Sequence, residues 1–222
     1  MNHDEVWRTI DAERLSMADL FDDLSEAEWQ TPSLCAGWRV RDVAAHLTLA
    51  HTGLLAGTVA LVRARGGPNR MIRDSAVRQA RLPVERYPVA LRGMVGSRRT
   101  APFLTPFEPL VDVLVHGQDI AVPLGRTRPM PTAAAATAAT RFWPRGWPWY
   151  AERNMRGLRL VATDHAWSVG EGRLVEGPMA ALLLLITGRA AALPLLSGPG
   201  VPEFETRLSY GGPGELRQRP AR

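Results

Sequence analysis

The sequence predicts a mainly helical protein with a small α+β part, an N-terminal helical bundle followed by a small α+β domain. Three observations carry this. Apolar residues recur at spacings of three, four and seven through the first two-thirds of the chain, the period of helices buried along one side. The aromatic stretch Trp143-Pro-Arg-Gly-Trp-Pro-Trp149 then breaks that pattern with two prolines and a glycine. Beyond it, short aliphatic runs separated by glycine and aspartate replace the helical period, as strands and their turns do. The division expected is 1–143 for the bundle, 144–157 for a Trp/Pro-rich linker, 158–210 for the α+β domain and 211–222 for a disordered tail.

Taken in order, Val6, Ile10, Met17, Leu20, Phe21 and Leu24 place one face of a first helix over about residues 4–24. The connection from Trp29 to Trp38 carries proline, glycine and two tryptophans, so it is expected to be packed. A second helix begins near Val40 and runs to about Arg63, with Val43, Ala44 and Leu47 on its buried side. Asp42 falls in its first turn, where a carboxylate caps free amides and is favoured by the helix dipole. His51 lies about 140° around the helix from His46 and points elsewhere. Gly66 to Arg70 reads as a loop, followed by a short helical segment with Met71, Ile72 and Val77. A third long helix passes Leu91, Met94 and Val95, with Pro88 tolerable only in its first turn. Thr105-Pro-Phe-Glu108 opens a fourth, with Thr105 as N-cap and Pro106 at the first helical position. Residues 132–142 are alanine-rich and helical. Three strands follow at 158–163, 166–169 and 173–176, then a helix from Met179 to Thr187 that Gly188 closes.

Composition narrows the function. All 27 basic residues are arginine, since the sequence has no lysine, and the net charge is +5. The pattern looks like the coding bias of a GC-rich genome. The arginines are scattered, without a basic stripe interleaved with aromatics, which argues against nucleic acid. The start lacks the features of a signal peptide, and the longest apolar run, Met179 to Ile186, is too short to span a bilayer. A soluble cytoplasmic protein is expected, with no membrane partner. One cysteine, Cys35, excludes an internal disulfide and a cysteine-rich zinc site.

The chemistry concentrates in Pro109 to Ala121. Asp112 and His116 stand four apart on a helix otherwise apolar, with Asp119 three residues further on the same face. A carboxylate and an imidazole so spaced can offer two ligands to one divalent metal, the third coming from elsewhere. The alternative is an ordinary ion pair on a solvated face. A second pair at the same spacing, Asp42 and His46, shifts the balance, although there Asp42 reads better as a cap and His46 alone could be a hydrogen-bonded core histidine.

Several separated motifs carry a resemblance: Pro32-Ser-Leu-Cys-Ala-Gly-Trp-Arg-Val-Arg-Asp-Val-Ala-Ala-His46, then Val115-His-Gly-Gln-Asp-Ile120 with Pro123-Leu-Gly125, then Ala162-Thr-Asp164 and Leu185-Ile-Thr-Gly-Arg189. Over nearly the whole chain, in order, these resemble the mycothiol-dependent maleylpyruvate isomerase family. The resemblance implies a DinB-like four-helix bundle holding a divalent metal, usually zinc, followed by a small domain similar to sterol-carrier proteins. It implies that His46, Asp112 and His116 are the metal ligands, with aspartate at a position where the family more often has glutamate. Two histidines and one carboxylate with open positions describe a catalytic site. Asp119 then orients a ligand or pairs with an arginine such as Arg41, a plain surface role being the alternative. Arg189 is similar in position to the family's essential arginine, whose fork suits substrate carboxylates; its alternative is a charge at a helix C-terminus.

The activity implied is cis–trans isomerisation, in which mycothiol thiolate adds to the conjugated double bond of maleylpyruvate, the bond rotates and elimination gives fumarylpyruvate. Two other classes fit the residues: mycothiol S-transfer to another electrophile, and a non-catalytic module binding a small molecule or a protein. The partner expected is a small-molecule electrophile, acted on by a monomer or weak homodimer.

Overall fold

The structure is a computed structural model that describes residues 1–49, 68–100, 104–146 and 149–210. His51, the expected course of the second helix beyond residue 49, Trp147 and the 211–222 tail lie outside them. The described chain is mostly helical with one three-stranded sheet, and it divides into two compact units, Asn2–Pro129 and Met130–Arg222. Among the described residues no helix is long and apolar enough to cross a membrane.

In the first unit, α1 (His3–Asp22) opens on a capping box in which Asn2 and Glu5 satisfy each other's backbone amides. Ser25 and Glu28 repeat the device on a short helix that the sequence reading did not separate, α2 (Glu26–Gln30). It buries Trp29 against Phe21 and Tyr87, with ring centroids 5.4 and 5.8 Å away, so the expected packed connection begins as a helix. Asp42 is the cap expected: its Oδ2 accepts from the Arg39 amide at 2.8 Å at the head of α3 (Val40–Leu47).

Helix α4 (Pro68–Gln79) starts on Pro68, inside the stretch expected to be a loop, because a proline fits the first helical turn, where no amide is needed. Pro88 likewise lies in the first turn of α5 (Arg86–Gly93). The Glu108 carboxylate accepts from the Thr105 amide at 2.6 Å and fixes the entry to α6 (Phe107–Ala121). Helix α1 packs against α5 and α6, and α3 packs against α4 and α6. The core between them is built from Met17, Phe21, Val40, Val43, Ala44, Leu91 and Ile120.

Helix α6 is pinned to α1 by Arg128, whose Nη2 donates to Glu13 Oε2 at 2.6 Å and whose Nη1 donates to Ser16 Oγ at 2.8 Å. The guanidinium passes over Gly117, where a Cβ would stand 2.7 Å from Arg128 Nε. A side chain at 117 would therefore have to push the Arg128 side chain aside, and the constraint is this close approach, not backbone angle.

The second unit begins earlier than the 144–157 segment at which the sequence reading divided the chain. Helix α7 (Thr132–Phe142), there assigned to the bundle, packs against α9 (Met179–Ile186). Between them lie α8 (Ala151–Asn154) and strands β1 (Leu158–Ala162), β2 (Ser168–Gly170) and β3 (Arg173–Gly177). The sheet order is β2-β1-β3, with β1 antiparallel to β2 and parallel to β3. The chain thus passes under the start of β1 in two residues. Gly172, at φ +121, permits this: a Cβ there would lie 2.2 Å from the Gly157 carbonyl oxygen. Gly188, at φ +84, ends α9 as expected. A 3₁₀ helix (Ala190–Leu195) and α10 (Val201–Tyr210) complete the unit, neither foreseen from the sequence.

Candidate metal centre

The packing of α3 on α6 brings together the three residues that the resemblance implies as ligands. His46 sits one turn below the Asp42 cap and faces α6, where Asp112 and His116 are stacked one turn apart. His46 Nε2 is 3.8 Å from Asp112 Oδ2, and His116 Nε2 is 3.7 Å from Asp112 Oδ1. The two imidazoles stand edge to face with centroids 5.0 Å apart. One ligand atom from each residue lies within 4.8 Å of the others, close enough for one ion to reach all three. The Asp112 side chain is 41 % exposed, against 18 % for His46 and 14 % for His116, so the cluster opens to solvent on its carboxylate side.

Asp119 is not on the surface and does not pair with Arg41. It is wholly buried, and its Oδ2 takes His116 Nδ1 at 2.7 Å. Arg41 instead turns away toward the Leu82 carbonyl, 3.4 Å from its Nη2, and the Tyr87 hydroxyl. A carboxylate bonded to Nδ1 fixes the ring and leaves Nε2 to face Asp112, the arrangement that commonly supports a metal-bound histidine.

Two further residues come from the connection before α3, where no period betrays them. Trp38 lies edge-on to the His46 ring with centroids 5.5 Å apart, and Cys35 Sγ is 3.1 Å from Asp119 Oδ2. The signal available in the sequence was only that this connection was too apolar to be free.

The charge state follows from these surroundings. Burial pushes His46 down to about 4, against the pull of Asp112, so at neutral pH its ring is uncharged and has a lone pair to offer. Burial works against charge on His116, but the bond to the Asp119 carboxylate, with the contact to Cys35, outweighs it and pushes that ring up to about 10. A divalent ion bound there displaces the extra proton, because a ligating imidazole must be neutral. The donor set, two imidazole nitrogens and one carboxylate oxygen, suits zinc and similar borderline ions, and three protein ligands leave coordination positions open.

Arg189 belongs to the second unit. It is buried, and its Nη1 donates to the Thr187 carbonyl at 2.7 Å, at the C-terminus of α9. That bond matches the helix-end role considered from sequence.

Comparison with known proteins falls on this site. Residues 10–81, which include His46, Cys35 and Trp38, match the family model of the mycothiol maleylpyruvate isomerase N-terminal domain. The similarity to that family covers the stretch of the first unit that bears His46. A crystal structure of the mycothiol-dependent maleylpyruvate isomerase superposes with a TM-score of 0.64 at 14 % identity, covering 90 % of this chain and 93 % of that one. A crystal structure of a histidine-to-alanine mutant of the isomerase gives 0.62 at 14 %, with the same coverage. At such identity the likeness establishes a maleylpyruvate isomerase fold for both units. No curated protein matches the chain by sequence.

Proposed function

We propose that this chain is a metal-dependent enzyme that uses mycothiol as its thiol cofactor and carries out a cis–trans isomerisation of the maleylpyruvate type. The observation that carries the reading is the convergence of His46, Asp112 and His116 ligand atoms within 4.8 Å on a face open at Asp112. A divalent ion held there supplies a Lewis acid that lowers the pKa of a thiol beside it, and mycothiol supplies the thiol.

The chain's own residues do the rest. His46 and His116 bind from two helices and Asp112 completes the set from the solvent side. Asp119 holds the His116 ring by Nδ1, and Trp38 packs against the edge of His46. The substrate is a small electrophilic alkene. Cys35 is engaged with Asp119 and is not the reacting thiol.

The test is conversion of maleylpyruvate to fumarylpyruvate by the zinc-loaded protein, with and without mycothiol. Turnover is expected only with the thiol present, and it is lost on chelation and restored by zinc. Consumption of mycothiol by other electrophiles, without isomerisation, would replace this reading with S-transfer. Turnover indifferent to chelation would overturn the metal-dependent mechanism.

A further inference from the structure

The connection between α2 and α3 is built more tightly than a linker needs. The Ser33 amide donates to the Trp38 carbonyl at 2.9 Å, the Trp38 amide donates to the Cys35 carbonyl at 2.9 Å, and Pro32 bridges Arg39. The Leu34 amide then docks the loop on α6 by donating to the Asp119 carbonyl at 3.1 Å. The result places Cys35 Sγ 3.1 Å from Asp119 Oδ2, the same oxygen that takes His116 Nδ1 at 2.7 Å. Asp119 is 0 % exposed, so water does not share the job of fixing its carboxylate. Two donors from different directions thus meet on one carboxylate oxygen.

We propose that Cys35 is a positioning residue of the metal centre, holding the Asp119 carboxylate in the orientation that fixes the His116 ring for metal. The inference rests on the reading of His46, Asp112 and His116 as ligands. It differs from a role for Cys35 as a ligand itself. Cys35, His116 and Asp119 also gather ligand atoms within 4.8 Å, but that group uses the His116 nitrogen already bonded to Asp119 and is closed by a wholly buried carboxylate.

Two substitutions separate positioning from packing. Cys35→Ser keeps a donor and loses bulk; Cys35→Val keeps bulk and loses the donor. Zinc affinity is measured by chelator competition on the metal-stripped full chain, and the cobalt-loaded forms are compared by absorption. Cys35→Val is expected to weaken zinc roughly tenfold, the low end of what loss of an outer-shell partner costs, while Cys35→Ser stays within about twofold of wild type. Cys35→Ala removes the donor without adding bulk and serves if the valine variant does not fold. Equal affinity in all variants, or loss in serine with retention in valine, would overturn the proposal. So would an intense sulfur-to-cobalt charge-transfer band in wild type that serine removes, since it would make Cys35 a ligand. Wild type that takes up no zinc would sink both this inference and the metal reading, whereas wild-type uptake with unchanged variants would sink this inference alone.

Discussion

His46→Ala lowers the affinity for a divalent ion by roughly a thousandfold, an estimate that shares the binding free energy of a protein zinc site about equally among its ligands. The reason lies in the division of labour between helices. Asp112 and His116 come from one helix and define a point beside it, while His46 alone approaches from α3. Its ring is held uncharged at neutral pH by burial, so it offers a lone pair without first losing a proton. Chelator competition against zinc, on wild type and variant, measures the loss. An affinity within a few-fold of wild type would mean that the ion, if bound, sits elsewhere.

Glu13→Ala lowers the unfolding free energy by about 3–5 kcal/mol, the cost of stripping one partner from a buried ion pair. The Glu13 and Arg128 side chains are 10 % and 8 % exposed, so the arginine left behind loses a charge partner that water only partly replaces. The effect reaches the centre as well. Arg128 lies over Gly117, directly after His116, and its carbonyl accepts from Gln118 Nε2 at 2.8 Å. Urea unfolding monitored by circular dichroism gives the change, and Glu13→Gln, which keeps the shape and a hydrogen bond, is expected to lose less. A change below about 1 kcal/mol would place the pair with ordinary surface ion pairs.

The parts of the fold that were legible in the sequence are those with a period. Asp112 and His116 stood out because helix geometry turns a spacing of four into a shared face, and the two helices concerned were readable from their apolar stripes, but it was the resemblance that joined His46 to them. Asp119 was readable as a neighbour of His116, but whether it faced solvent or core depends on the loop that covers it. Cys35 and Trp38 could not be placed, because a connection fixed by turns and a docking bond to Asp119 has no repeat to read.

The second unit is instructive in the same way. Helix α7 is so rich in alanine that Ala134, Ala135, Ala136, Ala138 and Ala139 are all buried, and the outer side marked by Thr137, Thr140 and Arg141 does not say which partner the inner side meets. Its partner, α9, is apolar all round. The two helices pack together, whereas the sequence reading assigned α7 to the unit that precedes it in the chain. The strands were visible as aliphatic runs, yet their pairing was not: a parallel β1–β3 pair across a two-residue crossing depends on Gly172 taking a conformation and a closeness that no side chain permits.

The most direct test of the metal-centred account is the metal content of the purified full chain, wild type beside Asp112→Ala, by elemental analysis before and after equilibration with zinc. Close to one divalent ion per chain in wild type, and markedly less in the variant, is the expected result: it would place the ion at the open carboxylate where the two histidines converge. Absence of a bound ion in wild type even after added zinc, or equal retention by both proteins, would contradict the account.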